Sequence, residues 1–239
     1  MKKTAVQAVV VLSGGQDSAT CLALAVKKYG APGVAAITFE YGQRHAVETK
    51  YARRLAKRFG IAAHKVVRFG FYRDITHNAL MDPAMKISCS HPSSPIPHPS
   101  SLIPHPSSLI PHPPNTVVEG RNAFFLMAAA VWAKTLGATV LYTGVSEADY
   151  SGYPDCRAAF IRAQERAIRL ALDWPIRIRT PFMRLTKADE WALAAKLGIF
   201  DLIANETVTC YNGIPGKGCG KCPACKLRNR GLREYERSL

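Results

Sequence analysis

The sequence predicts an α/β fold in which a doubly wound, mostly parallel sheet is covered by helices on both faces. Apolar, β-branched runs of strand length alternate with helical patterns along the chain, and this alternation is typical of parallel sheets. The stretch VVVLSGGQDS at residues 9–18 is a second indication, because an apolar strand there runs through a glycine turn into a helix. Ligands of such sheets bind at the carboxyl ends of the strands, where this turn is expected to lie.

The first half of the chain supplies two of the predicted helices. The first, at residues 16–29, follows the glycine turn, is apolar on nearly all sides and ends before Gly30. The second, at residues 46–59, has an apolar residue at every fourth position from Val47 to Phe59, with basic residues on its other face. The apolar runs predict strands at residues 5–12, 34–39, 65–69, 139–143 and 176–179.

The second half of the chain continues the same alternation with three more helices. Thr186 and Asp189 have the spacing of a capping box, which opens a helix, and Gly198 lies where that helix should end. The three helices are expected at residues 122–136, 157–172 and 187–197.

The glycine turn at residues 13–18, SGGQDS, has the features of an anion-binding loop. The first-turn amides of the following helix lack partners inside the helix, and the helix dipole favours negative charge there. Gly14 and Gly15 let the backbone approach a ligand closely, while Ser13 and Ser18 add hydroxyl groups. Asp17 would repel phosphates unless it holds a divalent cation. The alternative is a strand-to-helix turn without a ligand.

Composition restricts the class of protein. A chain of 239 residues suits one large domain with a small appendage, here divided into residues 1–200 and 201–239. Hydrophobic residues make up 48% of the chain, enough to form a core. Apolar runs stay shorter than the ~18 residues of a membrane span, and the apolar run after Lys3 is too short for a signal peptide. The sequence therefore predicts a cytoplasmic protein without a membrane partner.

The charge balance is strongly basic, with 32 Lys and Arg against 17 Asp and Glu, a formal net charge of +15. Such a field attracts anions, including nucleotides, carboxylates and nucleic acid. The basic residues are spread over the chain without interleaved aromatic residues, which is typical of a solvated surface. A nucleic-acid partner is therefore not expected.

The segment at residues 90–114 contains HPSSLIP twice after a degenerate copy. Its dense prolines cannot continue a helix or donate to a sheet, so polyproline or disordered loop is expected. Histidines recur every seven residues, but a flexible chain offers a metal no preformed geometry. The segment is interpreted as a surface insertion, which costs little in loop-closure entropy. The repeated histidines are His91, His98, His105 and His112.

Four cysteines near the C-terminus, spaced C-x8-C-x2-C-x2-C, form the strongest chemical signal after the glycine loop. Interspersed glycines allow tight turns, so four thiolates can converge on one tetrahedral zinc ion, leaving no position open for a substrate. The sequence predicts one structural zinc per chain. The alternative interpretation is that the four cysteines form disulfides or remain free thiols. If they do bind a metal, an iron–sulfur cluster is a second possible occupant. The ligands are Cys210, Cys219, Cys222 and Cys225.

The motifs together resemble a known family. SGGQDS resembles the pyrophosphate loop of N-type ATP pyrophosphatases, whose fold is called adenine nucleotide alpha hydrolase-like. SGGQDSATCLAL, ITFEYGQRH, GRN, GVSEADYSGYPDCRAAFI and CYNG followed by CGKCPACKLR occur in the order and spacing of the 7-cyano-7-deazaguanine synthases of queuosine biosynthesis. This resemblance covers nearly the whole chain outside residues 90–114, and it implies a zinc-containing homodimeric ligase.

The resemblance implies positions for ATP and its Mg²⁺. The catalytic group would be Ser13, Asp17, Ser18 and Lys187, where Lys187 begins a helix and could reach a phosphate. Leu12 and Phe39, at the ends of neighbouring strands, would flank the nucleoside. The full ATP-binding set would be Leu12, Ser13, Gly14, Gly15, Gln16, Asp17, Ser18 and Phe39.

The substrate implied is 7-carboxy-7-deazaguanine. Its guanine-like N–H donors suit a carboxylate, so either Asp149 or Asp155 would read the base. Cys156 could act as a nucleophile, although packing or substrate contact is favoured. Glu119 departs from the family, which usually has proline before the glycine of GRN, and this puts the local loop shape in question. The implied substrate residues are Gln43, His45, Arg121, Asp149, Tyr153, Asp155 and Cys156.

The implied reaction converts the carboxylate to a nitrile with ATP and ammonia through adenylated intermediates. A chain of this length has no room for a glutaminase domain, so free ammonia is expected as the nitrogen source. Two alternatives remain open: an ATP pyrophosphatase that modifies tRNA directly, and a zinc-ribbon nucleic-acid-binding protein.

Overall fold

The computed structural model describes residues 5–43, 47–76, 78–82, 84–86, 115–147 and 153–239. Several sequence predictions fall outside these residues. They are the insertion at residues 90–114 and the substrate candidates His45 and Asp149.

The described strands form one five-stranded sheet of order β3-β2-β1-β4-β5, and every neighbouring pair is parallel. The predicted fold class is therefore confirmed. β1 has β2 on one side and β4 on the other, so the direction of winding reverses at β1. The loop after β1 consequently opens at the topological switch point, where such sheets bind ligands. The strands are β1 (Ala8–Val11), β2 (Val34–Glu40), β3 (Ala63–Arg68), β4 (Val140–Tyr142) and β5 (Arg177–Arg179).

Helices connect the strands and extend the C-terminal end of the chain. The first helix has the predicted bounds, and the predicted capping box is present, because Thr186 accepts from the Asp189 N–H while Asp189 accepts from that of Thr186. The described α-helices are α1 (Gln16–Tyr29), α2 (Val47–Arg58), α3 (Tyr72–Ile75), α4 (Arg121–Thr135), α5 (Ala158–Leu172), α6 (Lys187–Lys196), α7 (Phe200–Asn205) and α8 (Pro223–Glu236).

Two apolar layers cover the sheet, one on each face. Alternate residues of β1 point to opposite faces, so Val9 joins one cluster while Ala8 and Val10 join the other. The first layer contains buried residues of α4 and α5, and the second contains buried residues of α1, α2, α6 and α7. Both faces of the strands are thus apolar, as parallel sheets require.

The C-terminal residues pack onto the main domain through α6 and α8. The indole Nε1 of Trp191, which is fully buried, donates to the carbonyl of Arg228 at 3.2 Å. The predicted boundary after residue 200 falls inside α7. Among the described helices, none is both long and apolar enough to cross a membrane.

Candidate functional site

The SGGQDS loop joins β1 to α1, and its own hydroxyl groups shape it. The Ser18 hydroxyl accepts from the backbone N–H groups of Ser13 and Gly14, both at 3.2 Å, and donates to the Gly15 carbonyl at 3.0 Å. Gly14 has φ +91°, and a Cβ there would lie 2.7 Å from the Glu48 carbonyl oxygen. Glycine is therefore required, both by the backbone angle and by the close approach of α2.

A buried ion-pair cluster lies against this loop. The Lys187 ammonium nitrogen lies 2.8 Å from Asp17 Oδ1 and 3.0 Å from each carboxylate oxygen of Glu190. Glu190 is fully buried and Lys187 is 7% exposed. Burial alone would raise the pKa of Asp17, but the Lys187 charge and hydrogen bonds from this cluster lower it below its ordinary value. The Asp17 carboxylate is thus ionised at neutral pH, as a cation ligand must be.

Gln16 within the loop and Gly144 beside it complete the surroundings of Asp17. The Gln16 side chain is 1% exposed, and neither polar atom of its amide has a hydrogen-bond partner among the described residues. Such an orphan amide is costly and is typical of a site that a ligand completes. A Cβ on Gly144 would lie 2.8 Å from Asp17 Cβ, so the segment after β4 closes directly over the start of α1.

A second polar cluster is centred on Arg121, the first residue of α4. Its Nη1 donates to the Tyr41 hydroxyl at 3.0 Å, and its guanidinium lies over the rings of Tyr41 and Phe125. In the part of the chain that the structure describes, no carboxylate forms an ion pair with it. Although burial opposes the charge, Tyr41, Tyr153 and Asp155 raise the pKa of Arg121, which therefore remains a cation.

Asp155, Cys156 and Tyr153 surround the start of α4. Asp155 is buried, and its Oδ2 accepts the Asn122 N–H at 2.9 Å, so one of its oxygens caps the helix. Burial, followed by the Asp155 charge, raises the pKa of Cys156 to about 12. The thiol is therefore protonated at neutral pH, which favours the packing or contact role over the nucleophile. The Tyr153 hydroxyl lies 2.7 Å from Thr116 Oγ1.

The two clusters are close enough to interact electrostatically. The charge on Asp17 contributes to the raised pKa of Cys156, and the charge on Arg121 opposes the rise in the pKa of Glu48, whose backbone carbonyl borders Gly14.

The four predicted cysteine ligands converge. Their sulfur atoms all lie within 4.8 Å of one another, as four ligands of one ion require. Backbone N–H groups of Cys222 and Lys221 donate to the Cys219 sulfur at 3.3 and 3.4 Å, and these bonds lower the pKa of that thiol to about 6. Gly218, at φ +67°, leaves space that a Cβ would take from the Cys225 sulfur. The donor set fits a thiolate-binding metal.

Comparison with known proteins identifies the family. A model described as "Queuosine biosynthesis protein QueC" matches residues 7–236. The chain belongs to this family. Two relatives from strains of Bacteroides fragilis, each named 7-cyano-7-deazaguanine synthase, are 48% identical over 228 residues, which cover 95% of this chain and 95% of each relative. NMN synthetase from Francisella tularensis has TM-score 0.51 at 14% identity, covers 98% of this chain and 85% of its own, and shares the fold alone.

Two positions that the family resemblance implies for the nucleoside have buried side chains. Leu12 is fully buried in the layer that contains α1, and its backbone pairs with β2. Phe39 is 5% exposed and stacks on Phe69 and Phe125, with ring centroids at 5.5 and 4.2 Å. Both side chains pack in the core, because the strands of a parallel sheet are covered on both faces, and their place beside the nucleoside stays a prediction.

Gln43 lies in the turn after β2, within the family's YGQRH motif. Its side-chain oxygen accepts the Tyr41 N–H at 2.8 Å, and its nitrogen donates to the Phe39 carbonyl at 3.1 Å. In this structure the amide closes the turn that presents Tyr41 to Arg121.

Sequence analysis missed several residues of the site. Glu190 and Glu48 are carboxylates in the first turns of helices, where exposed acidic residues are common. Neither the full burial of Glu190 nor the partial burial of Glu48 therefore carries a local signal. Burial raises the pKa of Glu48 to about 7, against the opposing effect of Arg121. Tyr41 could have been found only from its place in YGQRH, and the remaining missed contacts come from Gly144, Tyr211 and Arg228.

Proposed function

We propose that the chain is an ATP-dependent ligase that converts 7-carboxy-7-deazaguanine and ammonia to 7-cyano-7-deazaguanine in queuosine biosynthesis. The observation that carries the proposal is the pairing of an SGGQDS loop with Arg121, a partly buried arginine that forms no ion pair with a carboxylate among the described residues. The loop suits the phosphates of ATP, and Arg121 suits the carboxylate of the substrate. Membership of the family, in which the relatives carry this enzyme's name, supports the same assignment.

The ATP side of the site would use the loop and Lys187. Ser13, Gly14, Gly15 and Ser18 would contact the phosphates, because a helix N-terminus with small residues favours anions. Asp17 would hold Mg²⁺, which supplies charge neutralisation at the phosphates. Binding would then compete with the present contact between Lys187 and Asp17, while Glu190 retains the ammonium group near the loop.

The substrate side would use Arg121 for the carboxylate and neighbouring polar groups for the base. Tyr153 and Cys156 line the same cluster. Asp155 uses Oδ2 to accept from the Asn122 N–H, and its Oδ1 would accept from the base. Gln43 would act through the turn that carries Tyr41. Asp149 and Asp155 both remain candidates for reading the base, together with His45 from the motif.

The reaction follows from the weak electrophilicity of a carboxylate. Its oxygen attacks the α-phosphate of ATP, releasing pyrophosphate and forming an acyl-adenylate. Ammonia displaces AMP to give the amide, with loss of a proton. The amide oxygen then attacks the α-phosphate of a second ATP, releasing a second pyrophosphate. Elimination of AMP with loss of the two remaining N–H protons gives the nitrile. The chain's residues contribute position and charge compensation for these steps.

The four cysteines would hold one structural Zn²⁺, whose thiolate ligands must stay reduced, in keeping with a cytoplasmic protein.

The chain is proposed to form a homodimer. One candidate surface is the exposed apolar side of α4, where Phe124 and Val131 are 46% and 48% exposed beside Phe71. Sedimentation should show Phe124→Ser dissociating the dimer, with Leu170→Ser, exposed on α5, as the control.

A product assay tests the function. Purified protein is incubated with 7-carboxy-7-deazaguanine, ATP and ¹⁵N-ammonium, and the products are separated by mass spectrometry. The expected product is the nitrile carrying the label, formed only when ATP is present. Labelled amide alone would limit the enzyme to the first half of the reaction, and unchanged carboxylate would contradict the proposal.

The alternatives predict a nucleic-acid ligand. An enzyme that modifies tRNA directly, or a zinc-ribbon module, would bind tRNA tightly with a steep dependence on salt. Filter binding with a salt titration separates these cases. Weak binding without specificity for tRNA is expected.

A further inference from the structure

The four-cysteine segment touches the phosphate loop along two separate routes. The first runs through the segment that leads to Cys210. The Val208 N–H donates to the Gly14 carbonyl at 2.9 Å, and the Gln16 N–H donates to Thr209 Oγ1 at 3.4 Å. Thr209 thus contacts Gln16, the first residue of α1, and the next residue along the chain is Cys210 of the cluster.

The second route runs through α8, which carries two of the cysteines. Cys222 is the N-cap of α8 and Cys225 lies in its first turn. Two turns later, Gly231 packs against the start of α6. A Cβ at Gly231 would overlap the Cβ of Lys187 and lie 2.8 Å from its carbonyl carbon. Gly231 thus fixes the backbone of the residue whose ammonium group reaches Asp17.

Arg228 ties the two routes together. It is 2% exposed, and its guanidinium donates to the carbonyls of Gly216, Ile203 and Ala204 while stacking on the Trp191 ring. The α8 helix is therefore joined to α6, to α7 and to the loop between Cys210 and Cys219. Arg228 is also close enough to Asp17 to lower the pKa of that carboxyl.

We propose that the four-cysteine segment is a positioning device for the phosphate loop, with Thr209 and Gly231 as positioning residues. Closing the cluster around its metal fixes the Thr209 hydroxyl beneath the loop and fixes α8 against Lys187. Metal retention and nucleotide binding are therefore coupled. This inference rests on the proposed function, because it takes ATP as the ligand of the loop. It gives the metal site an effect on nucleotide binding in addition to stabilising the C-terminal segment.

Coupling of two binding sites is reciprocal in free energy, so nucleotide must strengthen metal binding by the factor with which metal strengthens nucleotide binding. Tighter metal binding is expected to slow metal loss. The intact metal-bound protein is mixed with a colorimetric zinc chelator, and the rate of metal release is followed with and without Mg²⁺ and α,β-methylene-ATP. Release is expected to slow by ~5-fold or more, the lower end of typical couplings.

Two variants test the two routes by calorimetric titration with the same analogue. Gly231→Ala should weaken its binding by ~5-fold or more with metal content unchanged, because the new Cβ displaces Lys187. Thr209→Val keeps the side-chain shape and removes the acceptor for Gln16, so it should also weaken binding. Gly70→Ala is the matched control, because a Cβ there meets nothing within 4 Å. It should bind as wild type does.

The outcomes separate the two claims. If the analogue binds to wild-type protein but metal release is unaffected and both variants bind normally, the positioning role is wrong while the proposed function stands. If metal release slows as expected but the product assay gives no nitrile, the coupling holds and the proposed reaction fails. Failure of wild-type protein to bind either metal or the analogue would overturn the inference.

Discussion

The Lys187 ammonium group lies 2.8 Å from Asp17 Oδ1, although 170 residues separate the two in sequence. Asp17 belongs to the first turn of α1 and Lys187 to the first turn of α6. The contact therefore joins the end of the SGGQDS loop to the helix that opens at the capping box. In the proposed reaction, this pair is what an incoming magnesium nucleotide must rearrange.

Replacing Asp17 tests the proposed cation ligand. Asp17→Asn keeps the shape but removes the charge, so turnover should fall by ~10²-fold or more, the usual scale for losing one transition-state electrostatic contact. The measurement is kcat for nitrile formation at saturating ATP. Asp201→Asn, an exposed change on α7, should leave kcat unchanged. Equal turnover in Asp17→Asn and wild type would show that the phosphates bind elsewhere.

The buried partner of Lys187 predicts a double-mutant result. Lys187→Met leaves Glu190 fully buried beside an apolar chain, and breaking a buried pair costs about 3–5 kcal/mol of the free energy of unfolding. Adding Glu190→Gln should restore most of that stability, because it removes the buried negative charge that Lys187 neutralises. Turnover should stay low in both variants if Lys187 contacts a phosphate. Denaturant unfolding and kcat are measured on all variants; restored turnover in the double variant would contradict that role.

Glu48 predicts a pH-dependent difference in stability. Its pKa in the folded protein is raised from 4.5 to about 7, so folding favours the protonated form. The resulting stabilisation is fully present below pH 4.5 and is lost as pH rises through about 7. Relative to wild type, Glu48→Gln should therefore be more stable at pH 8 than at pH 5. Melting temperatures of both proteins across this range measure the difference.

The control for Glu48 is Glu236→Gln, which replaces an exposed carboxylate near the end of α8. The difference between this variant and wild type at each pH is the baseline for the Glu48→Gln measurement. A Glu48→Gln difference that follows this baseline would mean that folding does not raise the pKa of Glu48.

The cysteines predict separate effects on metal content and turnover. Cys222→Ser should lose the metal and lower the melting temperature, because a structural zinc contributes directly to folding. Cys156→Ser should retain one metal per chain and most of its turnover, since a thiol with a pKa of about 12 is a poor nucleophile. Metal content is measured by elemental analysis and turnover as kcat. Metal-free wild-type protein with unmodified thiols would refute the expectation for Cys222. Abolished turnover in Cys156→Ser would refute the expectation for Cys156.

Local signals predicted most of the fold. Glycines at both ends fixed the bounds of α1, and the Thr186–Asp189 pair marked the start of α6. The strands were harder, because an apolar run indicates burial rather than pairing, and the first strand is shorter than residues 5–12. The α8 helix was not predicted, since its many charges hide the small apolar face that packs on α6.

The site was predictable only where a motif names a residue. The SGGQDS loop lies between β1 and α1 and the four cysteines converge, while the roles implied for the loop residues stay predictions. The burial of Glu190 could not be predicted from sequence, because only the tertiary fold covers a carboxylate in the first turn of α6. Leu12 and Phe39 lie at strand ends, but that position does not show whether a side chain remains in the core.

In the proposed reaction, the SGGQDS loop directs cleavage between the α- and β-phosphates of ATP. The loop lacks the following lysine with which phosphate loops reach a transferring γ-phosphate. Protein, 7-carboxy-7-deazaguanine and ammonium are incubated with α-labelled ATP, and the labelled nucleotides are separated. The label is expected in AMP, with pyrophosphate released in equal amount. Label appearing in ADP as the direct product would contradict this expectation.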